Sequence, residues 1–91
     1  MKVAVLGVTG VVGRTMLRVL AERAFDVDEL VLLASPRSAG ARIDWGGRQW
    51  TVGEPRAGAF DGCAVALFSA GAARSREWGP VAATEGAVVV D

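Results

Sequence analysis

The sequence predicts an α/β fold, a doubly wound parallel sheet with elements in the order β-α-β-hairpin-β-α-β. Three observations carry this. Four short runs, residues 2–6, 30–34, 64–68 and 87–90, are apolar without polar alternation, as strands buried on both faces are. Helix-forming stretches separate the first run from the second and the third from the fourth. The first run passes directly into Gly7-Val8-Thr9-Gly10-Val11-Val12-Gly13, a glycine-rich turn between strand and helix.

The first helix is expected from residue 11 to residue 23 or 24. Val12, Met16, Val19 and Leu20 fall at i, i+4, i+7 and i+8 and form its expected buried face, with Arg14, Arg18, Glu22 and Arg23 opposite. Asp26 and Asp28 mark the exit loop. After the second strand, Pro36 forces Ser35 into an extended conformation and ends the strand there. Two alternating segments, 41–45 and 48–52, flank Gly46-Gly47 and predict a hairpin, since both central positions of its turn need positive φ. Residues 53–62 read as a connecting loop with a short turn at 57–60. The second helix is expected over 73–85, with Trp78, Val81 and Ala82 buried, Pro80 in its first turn or kinking it, and Gly86 closing it. Right-handed crossovers then place the strands in one sheet with helices on its faces.

Composition narrows the functions. Ninety-one residues make one domain, residues 1–91, and 52% apolar residues suffice for a core. Ten basic residues balance ten acidic ones, so no global field favours nucleic acid or a membrane surface. Nine of the ten basic residues are arginine. A single cysteine, Cys63, excludes an internal disulfide and any multi-cysteine metal site, and with no histidine neither zinc ligation nor histidine acid–base chemistry is expected; no metal is expected. The apolar start is too short for a signal peptide or membrane span, so a cytoplasmic setting is the expectation. The last strand stops at Asp91, where a doubly wound sheet would place ligand-binding residues, and the chain is therefore expected to be a fragment.

A strand that delivers a glycine turn to the sheet's carboxyl edge lets backbone N–H groups approach phosphate oxygens, and the following helix offers its positive end. The turn beginning at Gly7 is thus a candidate diphosphate site; a merely structural tight turn is the alternative. An acid at the end of the second strand would accept from the adenosine ribose hydroxyls of NAD. Here that strand ends in Ala34-Ser35, followed by Arg37 and Ser38, while Asp26, Asp28 and Glu29 precede the strand at the other edge. A 2′-phosphate is dianionic; Arg37 can bind it with a planar fork and Ser35 and Ser38 can donate to it. The pattern favours NADP, although a loop arginine alone also fits a solvated surface. Ser69-Ala70-Gly71 ends the third parallel strand at the same edge and either lines the cofactor groove or simply turns into the helix. Cys63 lies at the opposite edge, with no histidine or lysine near it in sequence, and is expected to be structural. Trp45, Trp50 and Trp78 are spaced as packing residues rather than as a nucleic-acid stacking platform.

Gly7–Gly13 in that spacing, Leu33-Ala34-Ser35-Pro36-Arg37-Ser38-Ala39-Gly40, Ala66-Leu67-Phe68-Ser69-Ala70-Gly71, Ser75-Arg76-Glu77 and Gly86-Ala87-Val88-Val89-Val90-Asp91 together resemble the N-terminal part of bacterial aspartate-semialdehyde dehydrogenases. The resemblance runs along essentially the whole chain and implies a partial, Rossmann-like NAD(P)-binding domain. It implies a family that reductively dephosphorylates L-aspartyl 4-phosphate to L-aspartate 4-semialdehyde with NADPH, toward lysine, methionine and threonine, through a cysteine acyl-thioester and a histidine. By similarity Thr9, Gly10, Val11 and Val12 hold the diphosphate, Arg37 and Ser38 the 2′-phosphate, and Ser69, Ala70 and Gly71 line the groove. The family's cysteine, histidine and substrate arginines lie beyond the chain's last residue, and Cys63 does not match the nucleophile's motif. No catalytic residue is therefore carried over. The small-molecule substrate and a homodimer are implied only for the full-length protein. Val8 and Val11 replace the turn's usual alanines, Pro36 a usually polar residue, and Ala72 a common second glycine. A non-catalytic NAD(P)-sensing module is the alternative from another class. An N-acetyl-gamma-glutamyl-phosphate reductase is the enzymatic rival, although its turn usually carries an aromatic residue absent here.

Overall fold

The apolar runs become the parallel strands of a sheet that a computed structural model describes over residues 1–22, 26–69 and 71–91. Strand β1 spans Lys2–Leu6, β2 Glu29–Leu33, β5 Val65–Phe68 and β6 Val88–Val90; the hairpin supplies β3, Arg42–Trp45, and β4, Arg48–Gly53. The helices are α1, Val11–Glu22, and α2, Ala72–Thr84, with a short 3-10 turn at Pro36–Ser38 in the loop after β2. Residues 23 and 24, the expected end of α1, lie outside the described residues.

The sheet order is β3-β4-β2-β1-β5-β6. Leu6 pairs with Leu33 of β2 and with Phe68 of β5, both parallel, so three strand ends lie level at the carboxyl edge. Strand β4 runs parallel to β2 through Leu32↔Val52 and Leu33↔Gly53, and β3 is antiparallel to β4. The chain leaves β1 in one direction to form β2 and later continues in the other through β5 and β6. Right-handed crossovers in opposite directions put the two helices on opposite faces.

Alternation sorts the core accordingly. Val3, Val5, Leu30, Leu32 and Val52 face α1 with its Leu17 and Leu20, while Ala4, Leu6, Leu33, Ala66 and Phe68 face Phe60, Cys63 and Ala82 of the α2 side. The hairpin forms as expected: Gly46 and Gly47 have φ of 62° and 80°. Trp45 and Trp50 pack against the α1 cluster, and the Trp45 indole N–H donates to the Leu17 carbonyl at 2.8 Å. Ser35 is extended before Pro36, at φ −64° and ψ 162°. Gly86 follows the last turn of α2 at φ 100°; its N–H reaches Ala83 O and that of Ala87 reaches Ala82 O, the paired bonds that close a helix with a left-handed residue. Pro80 sits in the interior of α2. The loop before β5 is held by Glu85, whose carboxylate accepts from Gly58 N–H at 2.7 Å and Phe60 N–H at 2.9 Å.

Two burial expectations are corrected. The face of α1 against the sheet is Gly13, Leu17 and Leu20; of the expected face Leu20 is buried and Met16 half-buried, whereas Val12 and Val19 are exposed. The helix has apolar residues on two adjoining sides, and close approach at Gly13 selects the side lacking a Cβ. A Cβ at Gly13 would stand 2.3 Å from Gly7 O and 2.7 Å from Val8 Cα. Strand β6 is not fully buried either: Val88 and Val90 are 64% and 47% exposed. It is the edge strand, and α1 lies over β1 and β2, leaving nothing above that face of β6 among the described residues. Gly13→Ala should lower stability by about 3 kcal/mol, because the clash is with backbone that cannot rotate away; an unchanged urea midpoint would refute this close approach.

Candidate dinucleotide-binding site

The end of β1 and the end of β5 send the chain to opposite faces, which opens a crevice between their following loops. Such switch points are where open α/β sheets take ligands. Gly7 opens the turn with φ 88°, a conformation that a side chain would strain. Its N–H and that of Val8 both donate to Leu33 O, at 2.8 and 3.3 Å, which fastens the turn to the end of β2. Val8 points into the core and is fully buried, whereas Val11 is 83% exposed. The two valines therefore leave the mouth of the turn open: one packs inward and the other projects to solvent.

Gly10 N–H closes onto Gly7 O at 3.1 Å, and Arg14 N–H onto Gly10 O at 3.0 Å as the first helical bond of α1. Among the described residues, the amides of Thr9, Val11, Val12 and Gly13 donate to no backbone carbonyl. Free amides at the start of a three-turn helix, together with its dipole, form an arrangement suited to a phosphate group. The residues present thus fit a diphosphate.

The 3-10 turn after β2 lies beside this site. Thr9 Oγ1 and Ser38 Oγ are 3.3 Å apart, and Ser38 N–H donates to Ser35 O at 2.9 Å. Ser35 and Ser38 are half-buried; Arg37 between them is exposed, with no carboxylate partner among the described residues. No acid occurs among residues 34–43 that follow β2, while Glu54 follows Gly53, the partner of Leu33 on the neighbouring strand. The acids preceding β2 are at the amino edge, where Asp28 pairs with the N-terminal ammonium at 2.7 Å and Glu29 with Lys2 at 3.7 Å.

Ser69 bridges the crevice. Its N–H donates to Leu6 O at 2.9 Å, and its hydroxyl lies 3.1 Å from Leu6 O and 3.2 Å from Gly7 O. A hydroxyl has one proton. That proton is committed to β1's terminal carbonyls, so Ser69 has only lone pairs to offer a ligand, and its first effect is to hold the two strand ends together. This clamp was not evident in the sequence, because it depends on β1 and β5 being neighbours. Gly71, at φ 95°, leads into α2. Ala70 lies outside the described residues.

Cys63 is buried at the amino edge, away from the crevice. The expectation that no lysine lies near it is corrected: parallel pairing of β1 with β5 brings Lys2 close, its Nζ donating to Asp61 O at 3.0 Å. Burial pushes the thiol pKa up more than Lys2 pulls it down. Among the described residues no group of three or more metal-ligating side chains occurs, and no helix is long and apolar enough to cross a membrane.

The fold and this edge define a dinucleotide-binding domain of the doubly wound class. The chain belongs to the semialdehyde dehydrogenase NAD-binding domain family, whose model matches residues 2–91. It is 50% identical over 91 residues to the aspartate-semialdehyde dehydrogenase of Aquifex aeolicus, covering 99% of this chain and 27% of that protein. It is 46% identical over 89 residues to the Bacillus subtilis enzyme of that name, covering 98% and 26%. The crystal structure of aspartate semialdehyde dehydrogenase II from Vibrio cholerae, complexed with ASA, superposes with a TM-score of 0.94 at 48% identity, over 99% of this chain and 30% of that one. The chain thus spans between a quarter and a third of the length of these relatives.

Because the folded state keeps the Cys63 thiol neutral, its contribution to stability is complete below the ordinary thiol pKa. It is lost as pH rises, since the unfolded chain ionises first. The urea midpoint should therefore fall above about pH 8.5 in the native chain and fall less in Cys63→Ala. Aromatic disulfide reagents should label Cys63 only as fast as the chain unfolds; rapid labelling of the folded chain would contradict its burial.

Proposed function

We propose that this chain is the NADP-binding domain of an aspartate-semialdehyde dehydrogenase. The reading assigns the diphosphate to the turn at Gly7, Thr9, Gly10, Val11 and Val12, and the adenosine 2′-phosphate to Ser35, Arg37 and Ser38. The reading assigns the groove to Ser69 and Gly71, with Ser69 acting chiefly as the clamp between strand ends. The observation that supports it is the 3.3 Å approach of Thr9 Oγ1 to Ser38 Oγ, which brings the glycine turn and the loop after β2 side by side. The hydroxyls that meet there can each turn to donate to a phosphate, and the guanidinium beside Ser38 is free of any carboxylate among the described residues.

Preference for NADPH follows from charge. A carboxylate at the end of β2 would repel a 2′-phosphate; here a guanidinium and two hydroxyls stand there instead. When bound, NADPH supplies a hydride to the substrate. This chain's residues bind and orient the cofactor; the Gly7 turn and the Ser69 clamp fix its diphosphate relative to the carboxyl edge.

In the full-length protein the reaction is the reductive dephosphorylation of L-aspartyl 4-phosphate to the 4-semialdehyde. That protein is a cytoplasmic homodimer, with its catalytic cysteine and histidine outside these 91 residues and its dimer contacts largely outside them. Residues 1–91 act as one cofactor-binding unit and are inactive alone.

Titrating the 91-residue chain with each nucleotide by calorimetry should give tighter binding of NADPH than of NADH. Arg37→Gln should weaken NADPH about tenfold and leave NADH nearly unchanged, the difference expected for one charge-assisted pair. Equal affinity for the two nucleotides would overturn the reading.

A further inference from the structure

Helix α1 has three sides with different partners. Gly13, Leu17 and Leu20 lie on the sheet, and Val12 and Val19 face solvent. Arg14 and Arg18 lie on a third side, lining a cleft of about 410 Å³ between α1 and the hairpin, together with Leu17 and with Arg42, Ile43, Asp44 and Trp45 of β3. The wall of this cleft is set in advance, because the Trp45 indole is tied to Leu17 O at 2.8 Å. Arg14 stands at its upper end, in the first turn of α1, with its N–H on Gly10 O.

Thr9 precedes that turn and touches Ser38, so the loop carrying Arg37 lies against the turn from which Arg14 rises. The hairpin side of α1 is also the side toward β2 and its following loop, given the order β3-β4-β2-β1. Arg14 and Arg37 make no salt bridge among the described residues and lie toward this end of the carboxyl edge, as does Arg42 at the start of β3, where Asp44 lines the cleft with it; Arg18, one turn deeper, is 3.9 Å from Glu22. Asp28 and Glu29, by contrast, are engaged with Met1 and Lys2 at the amino edge. The carboxyl edge carries acids as well, Glu54 directly after β4 and Asp91 directly after β6, so the case for Arg14 rests on its place beside the turn and not on a general field.

We propose that Arg14 is a further specificity-determining residue, a second guanidinium that acts with Arg37 on the cofactor's 2′-phosphate. This rests on the function proposed above. A dianionic phosphate is only half neutralised by one arginine, and its three terminal oxygens exceed what one guanidinium fork can satisfy. Arg14 supplies the second charge from a helix rather than a loop, with its Cα fixed by the first helical bond.

The test compares 2′,5′-ADP with 5′-AMP, which differ by that phosphate alone, binding to the native chain and to Arg14→Gln, Arg18→Gln and Arg37→Gln, each first shown to melt as the native chain does. Arg14→Gln should weaken 2′,5′-ADP about tenfold and 5′-AMP less than about twofold, with Arg18→Gln near native for both. Arg14→Lys should recover part of the loss, since it restores charge without the fork. If Arg14→Gln and Arg18→Gln weaken 2′,5′-ADP equally, the effect is a diffuse field and the assignment fails. It also fails if Arg14→Gln binds as the native chain does while Arg37→Gln is impaired, an outcome that leaves the cofactor reading standing. Absence of any preference for 2′,5′-ADP in the native chain removes both.

Discussion

The carbonyl oxygen of Gly7 occupies the space in which a Cβ at position 13 would have to lie, 2.3 Å away. Much else in the molecule depends on this close approach. It draws the start of α1 onto the end of β1, so the helix's first amides open directly at the turn. It also sets the rotation of α1: with Gly13 against the backbone, Leu17 and Leu20 follow at i+4 and i+7 into the sheet, and the arginines are carried to the hairpin side. The double acceptance by Leu33 O of the Gly7 and Val8 amides anchors the same turn from the β2 side. A helix standing an ångström or two farther out would leave both the core and the amide cluster differently arranged.

The carboxyl edge divides its labour between holding itself together and remaining available. Ser69 is spent on structure, since its only proton goes to the carbonyls of Leu6 or Gly7. Thr9 and Ser38 are held more loosely, by one mutual contact at 3.3 Å in which either can donate. Free backbone amides and unpaired guanidinium groups complete the edge. Such a set suits recognition of a multiply charged anion, because the donors are fixed by backbone before any ligand arrives and, among the described residues, Arg14 and Arg37 make no salt bridge. The one cysteine is buried at the other edge, where burial raises its thiol pKa.

Opposite the hairpin side, Val12 and Val19 of α1 and Val88 and Val90 of β6 are exposed. These are residues whose apolarity led to an expectation of burial. The relatives are three to four times longer, as the 26–30% coverage implies, whereas burial within 91 residues depends on what 91 residues can reach. Apolar character marks what a chain can bury; it does not say against which neighbour.

The strands, both helices, the hairpin and its glycine turn, the extended Ser35 before Pro36 and the closing Gly86 were all readable from local pattern. Each depends on steric preferences within a few residues: continuous apolar runs, positive φ at Gly46, Gly47 and Gly86, and the clash a proline imposes on its predecessor. The glycine turn and the arginine after β2 were also visible as types in the right order. What the chain order could not contain was adjacency across the sheet. The pairing of β1 with β5 brings Lys2 to Cys63 and Ser69 to Leu6, residues about sixty apart, and the sheet order decides which side of α1 meets the hairpin. Helical periodicity offered two apolar sides of α1 without ranking them. The choice fell to a missing Cβ at Gly13, whose importance appears only once a carbonyl stands against it.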